Sequence, residues 1–257
     1  MNTNMLSENL QAEALIEDVN QGLFYPVFQP ITSGNGTVGA EVLLRWQRER
    51  NVEASICCLS DSGEIAWFTQ KFLLTVSEEL LSHKSDIDFL TINISPLHVL
   101  SFTFIRDIYP IWQACNKLGI TLWIELTENE QYPVGIDEKR MVSQFGVCRG
   151  LGIKIAIDDY GSGYNVGEAL LSVVKPNVVK IDRSLMKNRS DNSIFWERLR
   201  FLSRKYQIEL LSEGIESDED LHFAQSQGVV YFQGYHIGKP GSLNQLSKRH
   251  KAYCSSP

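Results

Sequence analysis

The sequence predicts a closed α/β barrel of eight strands, and two observations point to it. Eight short runs rich in apolar and β-branched residues recur along the chain, separated by longer segments, several of which have helical spacing. Within several runs, apolar and polar side chains alternate, so that one face of each strand is apolar. A chain of 257 residues can form one such barrel, and eight repeated units favour this over two smaller domains.

The predicted strands follow the apolar runs, and the predicted helices follow the segments between them. The strands lie at residues 24–30, 39–46, 89–94, 121–126, 153–158, 177–182, 207–212 and 229–233. A stripe of apolar residues spaced three or four apart predicts a helix over 64–83. Weaker helical patterns cover 101–118, 137–151, 193–206 and 217–226. Ser95 followed by Pro96 is typical of a helix start directly after the third strand.

Alternation within the strands predicts which side chains face the barrel interior. Leu90, Ile92 and Ile94 share one parity of the third strand, and the same apolar parity recurs in the fourth and fifth strands. We expect that parity to face the covering helices. The opposite parity carries Asn93 in the third strand and, in later strands, the polar residues Glu125, Asp158, Lys180 and Gln233. Polar groups should therefore converge inside the barrel.

Composition restricts the class of partner and the compartment. The net charge of −7 argues against general binding to nucleic acid polymers or anionic membranes. Five cysteines without C-x-x-C spacing indicate reduced thiols, which favours the cytoplasm. The first fifteen residues lack lysine, arginine and a continuous apolar run, so they do not resemble a secretory signal. No stretch reaches the length of a membrane span.

The candidate site consists of oxygen donors. Several carboxylates buried together repel one another unless cations compensate them, and divalent metal ions are the obvious candidates. Oxygen ligands favour Mg²⁺ or Mn²⁺ over zinc, and the adjacent pair Asp158 and Asp159 could serve two ions. Two such ions would suit phosphodiester hydrolysis. The donors are Glu41, Asn93, Glu125, Asp158, Asp159 and Glu213.

Eight short motifs are distributed along the chain over roughly 24–240. They are VFQPI at 27–31, EVLLRW at 41–46, INISP at 92–96, IELTE at 124–128, IDDYGSGY at 157–164, VKIDRS at 179–184, SEGIES at 212–217 and FQGYHIGKP at 232–240. EVLLRW and INISP are similar to the sequences EALLRW and VNLSP. In content and in order, the whole set resembles the motifs of the EAL family of cyclic di-GMP phosphodiesterases.

The resemblance implies a fold and a reaction. The fold would be a TIM-like (β/α)8 barrel with one antiparallel strand, forming a single domain over 1–257. The reaction would be metal-dependent hydrolysis of cyclic di-GMP to linear 5′-pGpG, with two Mg²⁺ or Mn²⁺ ions. A homodimer is expected, and motility, adhesion and biofilm control are the processes associated with the family.

The resemblance also assigns roles to individual residues. Metal ligands would be Glu41, Asn93, Glu125, Asp158 and Asp159. Glu213 and Lys180, with Glu41, would be the catalytic groups acting on the attacking water. Substrate contacts would come from Gln29, Arg45, Asp159, Gln233 and Tyr235. Glu128 would support the loop that carries Asp158 and Asp159 and couple it to a dimer contact.

Alternatives remain for the motifs and for the function. An isolated Asp158-Asp159 pair before Gly161 is more often a turn, and Asn93 or Glu213 alone is more often structural. Residues 47–64 lack the P-x-x-F-I-x-x-A-E stretch of the family, which indicates a different barrel rim. The rival function is a receptor that binds cyclic di-GMP without hydrolysis, or an adaptor that binds a protein.

Overall fold

The computed structural model describes residues 3–83, 86–187 and 192–246. Eight strands form a closed barrel in chain order. Each strand begins and ends within three residues of the run that predicts it. The strands are β1 (Phe24–Ser33), β2 (Val38–Trp46), β3 (Phe89–Ile94), β4 (Thr121–Leu126), β5 (Lys154–Tyr160), β6 (Val178–Ile181), β7 (Glu209–Ser212) and β8 (Tyr231–Gln233).

Strand β1 is the irregular member of the barrel. It pairs antiparallel with β2 on one side and with β8 on the other, whereas the pairs from β2 to β8 are all parallel. The predicted TIM-like barrel with one antiparallel strand is therefore confirmed.

The helices surround the barrel, and the five predicted ones are present. Their bounds are α1 (Thr3–Asn20), α2 (Val52–Asp61), α3 (Ile65–Ser82), α4 (Pro96–Val99), α5 (Phe104–Leu118), α6 (Ile136–Gly150), α7 (Glu168–Val174), α8 (Arg183–Lys187), α9 (Ser193–Tyr206) and α10 (Asp218–Ser226). Ser95 caps α4, since its hydroxyl accepts a hydrogen bond from the Leu97 N–H. Across the described residues, no helix combines the length and the apolar character needed to cross a membrane.

Among the described helices, four were not predicted. Of these, α2 lies within the segment after β2, and α1 packs with it in a shared apolar cluster. Within α2 only Ser55 and Leu59 are buried, which leaves too weak a stripe to predict a helix. In α1, Asp18 is fully buried and forms ion pairs with Arg48 and Arg50. These contacts tie α1 to the segment that follows β2.

The two strand faces have different neighbours, as the alternation predicts. The outward parity, including Ile92, Ile124 and Ile155, packs with helix residues in one large apolar core. Inside the barrel, a smaller cluster fills the end where the parallel strands begin. Its members include Phe89 and Trp123, whose rings stack with centroids 4.0 Å apart. The polar groups that point inward are therefore left at the other end, where these strands finish.

A glycine opposite this aromatic stack tests how tightly the lower barrel is packed. A Cβ at Gly39 would lie 2.3 Å from the Phe89 ring, which the stacked Trp123 keeps from moving away. We expect Gly39→Ala to lower the free energy of unfolding by about 1–3 kcal/mol through overpacking. Urea denaturation measures this change. Gly34→Ala is the matched control, because nothing lies within 4 Å of a Cβ there, and equal stability of the two variants would contradict the packing argument.

Candidate active site

Acidic side chains converge where the parallel strands end. Glu41 on β2 lies inside the barrel, and Asn93 on β3 pairs in register with Glu125 on β4. Single carboxylate oxygens of Glu41, Glu125 and Asp158 lie within 4.8 Å of one another. Oxygens of Asp158, Asp159 and Glu213 form a second group, and they also lie within 4.8 Å of one another. Asp158 belongs to both groups, so the described residues present two adjoining acidic sites.

Lys180 on β6 lies at the centre of these carboxylates. Its side chain is 1% exposed, and its Nζ atom lies 2.8 Å from oxygens of Glu125, Asp158 and Glu213. Glu41 is the fourth partner, at 3.3 Å. These partners outweigh burial and raise the pKa of Lys180 well above its usual value, so the side chain is an ammonium. Four carboxylates therefore surround this buried ammonium.

One ammonium does not neutralise the cluster. Burial raises the pKa of Asp159 to about 7, with the Asp158 charge as the next cause. Burial likewise raises the pKa of Glu213 to about 8, although Lys180 opposes the shift. These carboxyls therefore hold protons near neutral pH when no other cation is present.

The two most buried glutamates differ in their hydrogen bonds. Burial acts to raise the pKa of Glu41, but Lys180 and hydrogen bonds from Gln233 and Asn93 lower it below its ordinary value. Within the described part of the chain, Glu125 has only Lys180 as a hydrogen-bonding partner, and burial raises its pKa well above the ordinary range. Within this cluster, Glu41 is thus the better stabilised anion.

Strand β5 ends in an unusual backbone conformation that directs Asp158 and Asp159. The pairing between β5 and β6 shifts register between Ile157 and Tyr160. Asp159 has φ +43°, a left-handed conformation that non-glycine residues seldom adopt. The chain then turns through Gly161 and Gly163, at φ +106° and +50°. This turn allows two consecutive carboxylates to face the same cluster.

Glu128 packs under this turn. Its carbonyl accepts a hydrogen bond of 2.9 Å from the Tyr164 N–H. A Cβ at Gly163 would lie 2.6 Å from the same carbonyl oxygen, so a larger residue would push the turn away. Burial raises the pKa of the Glu128 carboxyl. The contacts with the turn use the backbone and the aliphatic stem of Glu128.

The predicted substrate residues line two cavities, and both cavities are also lined by Glu41 and Asp158. One cavity of about 270 Å³ is lined by Gln29, Gln233 and Tyr235, among others. Gln233 donates a 2.7 Å hydrogen bond to Glu41, and Tyr235 is 64% exposed at the mouth. The other cavity, of about 400 Å³, contains Arg45.

Two charged residues of the smaller cavity were not singled out from the sequence. Arg183 and Glu216 line it beside Glu213. Both lie in segments that carry family motifs, at 179–184 and 212–217, so their position beside motif residues was an available signal.

The segment that departs from the family pattern still contributes to the site. Helix α2 lines the larger cavity with Ile56 and Cys57. The carboxylate of Glu130 accepts hydrogen bonds from the hydroxyls of Ser60 and Ser95 and from the Leu97 N–H. Glu130 thus joins α2 to the loops after β3 and β4. Nothing in the sequence indicated this connection, because it unites three distant segments.

The donor set fits divalent metal ions. Oε1 of Glu125 and Oδ1 of Asn93 are buried, and neither has a hydrogen-bond partner among the residues that the structure describes. The Asn93 amide nitrogen donates to Glu41, so its carbonyl oxygen is the free end. Unpaired buried oxygens beside several carboxylates are suited to a hard cation such as Mg²⁺ or Mn²⁺.

Comparison with known proteins identifies a family. The EAL domain profile matches residues 12–240. The chain is 30% identical over 238 residues to the cyclic di-GMP phosphodiesterase PdeF of Escherichia coli K12, covering 86% of this chain and 30% of PdeF. It is 29% identical over 248 residues to the probable cyclic di-GMP phosphodiesterase PdeG of the same strain, covering 92% of this chain and 48% of PdeG. The chain spans about half the length of the curated relatives it matches first.

Solved structures with the same fold include ligand complexes. A standalone EAL protein from Vibrio cholerae O395, in its c-di-GMP-bound form, is 27% identical with a TM-score of 0.69, covering 86% of this chain and 93% of that one. The cGMP-bound EAL enzyme Bd1971 superposes with a TM-score of 0.79 at 23% identity, covering 98% of this chain and 71% of its own. At this level of identity, the similarity to Bd1971 is evidence for the shared fold alone.

The raised carboxyl pKa values predict how the metal-free protein responds to pH. Asp159 and Glu213 have folded pKa values of about 7 and about 8, against ordinary values of 3.8 and 4.5. A carboxyl that holds its proton more tightly when folded stabilises the fold most at low pH, and this stabilisation is lost as pH rises through the folded pKa. We therefore expect the free energy of unfolding in EDTA to fall between about pH 5 and pH 8.

Urea denaturation across this pH range measures the effect. Glu213→Gln should make the decline shallower because it removes one of the carboxyls with a raised pKa, and added Mg²⁺ should oppose the decline. A wild-type unfolding free energy in EDTA that stays constant or rises over this interval would contradict the assignment.

Proposed function

The chain belongs to the EAL domain family, and we propose that it hydrolyses cyclic di-GMP to linear 5′-pGpG with two bound Mg²⁺ or Mn²⁺ ions. One observation carries the proposal: two acidic groups share Asp158, surround Lys180 and border two cavities that Glu41 and Asp158 both line. The names of the relatives PdeF and PdeG support the choice of substrate.

The metal ligands are the oxygen donors of the cluster. Glu41, Asn93, Glu125 and Asp158 would hold one ion, and Asp158 with Asp159 the other, with Glu213 within reach of the second. If ionised, the carboxylates of both groups and the Lys180 ammonium leave four negative charges, which two divalent ions balance. When bound, such ions activate water and stabilise the attacking and leaving oxygens of an in-line displacement at phosphorus.

Glu213 and Lys180 act on the attacking water. Glu213 is the more exposed of the two and lines the smaller cavity, where its carboxylate can accept a proton from water. Lys180 holds this carboxylate at 2.8 Å and favours its ionised form. Glu41 is held by Lys180 and Gln233 and has a lowered pKa, so it remains an anion at neutral pH.

The substrate residues lie where a ligand with two nucleobases can extend. Gln29, Gln233 and Tyr235 contact it from the smaller cavity, and Asp159 from the metal side. Arg45 lies in the larger cavity, where its guanidinium now donates to the Leu44 carbonyl at 2.7 Å. Turned toward the ligand, it can grip a phosphate oxygen and supply a positive charge in an acidic protein.

Further proposals concern the chain as a whole. We propose that residues 1–257 form one domain, that the protein acts as a homodimer, and that it resides in the cytoplasm. Val134 and Ile136, which follow Glu128 in the chain, have exposed apolar side chains. They support an apolar dimer contact near the loop that Glu128 holds.

The net charge of −7 supports the absence of nucleic acid polymers and anionic membranes among its partners.

Product analysis tests the proposed reaction. Incubation with cyclic di-GMP and Mg²⁺ or Mn²⁺, resolved by chromatography, should yield linear 5′-pGpG, and EDTA should abolish the product. Glu213→Gln should lower kcat by at least about 10²-fold, because it removes the proton acceptor. Glu209→Gln is the matched control, since Glu209 lies at the other end of β7 and pairs with Lys154; it should retain activity.

Two results would contradict the proposal. Folded wild-type protein that binds cyclic di-GMP but leaves it intact with both ions would favour the receptor function. Equal loss of activity in Glu209→Gln and Glu213→Gln would show that the defect is not specific to the site.

A further inference from the structure

Asn165 is a fully buried amide in the loop that follows β5. Its Nδ2 atom donates to the carbonyl oxygens of Leu126, at 2.9 Å, and of Asp158. Its Oδ1 atom accepts a 2.8 Å hydrogen bond from the Tyr132 hydroxyl. Both amide hydrogens and the amide oxygen are thus engaged, which fixes the orientation of the side chain.

The two carbonyls bound by Asn165 lie at the ends of the neighbouring strands that carry the acidic cluster. Leu126 follows Glu125 on β4, and the other carbonyl belongs to Asp158 on β5. The pairing of these strands extends as far as Leu126 with Ile157. Beyond that point, the pairing between β4 and β5 no longer supplies hydrogen-bond donors. The Asn165 amide donates instead to the carbonyls of Leu126 and Asp158, so both have a hydrogen-bond partner.

The backbone of Asn165 closes the same turn. Its carbonyl accepts a 2.9 Å hydrogen bond from the Gly161 N–H, and its own N–H donates to Ser162 at 3.0 Å. The turn holds Asp159 at φ +43°, a conformation that persists only where surrounding contacts enforce it. Asn165 provides such contacts on both sides of the turn.

We propose that Asn165 is a positioning residue that sets the spacing of Glu125, Asp158 and Asp159 for divalent cations, an inference that rests on the proposed metal-dependent function. It acts through the backbone of β4 and β5 and touches no reacting group. Without the amide, the end of β5 relaxes from its strained conformation and the shared carboxylate of Asp158 moves away from the geometry that both ions need.

Direct Mn²⁺ binding tests this role without requiring turnover. Titration of the full chain with Mn²⁺, followed by the electron paramagnetic resonance of the free ion, gives the Kd of each variant. Asn165→Ala should weaken binding by about tenfold or more, the range found when groups that orient metal ligands are lost. Wild-type affinity in folded Asn165→Ala would overturn the inference.

Asn177 provides a matched control, because its side chain also binds the backbone of β5. Its Oδ1 atom accepts a 2.9 Å hydrogen bond from the Ile155 N–H, near the start of β5 and away from the carboxylates. Asn177→Ala therefore removes an asparagine contact with β5, and urea denaturation reports the loss of stability in both variants. We expect Asn177→Ala to keep the wild-type Kd for Mn²⁺, and equal weakening by both variants would reduce Asn165 to a structural role.

Tyr132→Phe is the milder variant, and it tests the positioning role of Asn165 if Asn165→Ala does not fold. It leaves the amide in place but removes the hydroxyl that fixes its orientation, so the Kd for Mn²⁺ should rise on the order of threefold. An unchanged Kd in that variant would then overturn the inference.

The same titration separates the inference from the proposed function. Wild-type protein that binds Mn²⁺ without hydrolysing cyclic di-GMP would overturn the function and leave the role of Asn165 to be decided by its variants. Wild-type protein that binds no Mn²⁺ would overturn both.

Discussion

The ion pairing of one buried lysine with four carboxylates is the constraint on which the site depends. Lys180 can reach Glu41, Glu125, Asp158 and Glu213 because they come from strands or strand ends on all sides of a closed barrel. An open sheet of the same strands would leave Glu41 and Glu213 too far apart to share one ammonium. Closure of the barrel is therefore a condition for the chemistry as well as for the fold.

The cluster opposes folding, and the remainder of the barrel compensates for it. Burial and mutual repulsion raise the pKa values of Glu125, Asp159 and Glu213. The opposite end of the barrel is apolar and closely stacked around Trp123, and the outward strand faces are buried against helices. The buried carboxylates repel one another, and without metal ions this repulsion is reduced when some of them bind protons. A divalent cation reduces the same repulsion, so the barrel favours cation binding at this site.

Sequence periodicity was sufficient to predict the strands and to predict that the main site residues point into the barrel. Side chains alternate strictly along a strand, so Asn93, Glu125, Asp158 and Lys180 could be placed inside the barrel by parity alone. The family motifs added Gln29 and Arg45, which parity does not distinguish. Glu130 and Asn165 could not be predicted, because their roles arise from contacts between segments far apart in the chain. The short helix α2 has too few buried positions to leave a periodic signal.

Proton release on metal binding shows directly whether protons and divalent ions compete for the buried carboxylates. If protons compensate the carboxylates until a divalent ion replaces them, Mn²⁺ binding at about pH 7 should release at least about one proton per protein, and fewer as pH rises above about 9. Isothermal titration calorimetry in buffers of different ionisation enthalpy counts these protons. A binding enthalpy that is independent of the buffer at about pH 7, together with tight Mn²⁺ binding, would show that the carboxylates hold no protons for the metal to displace.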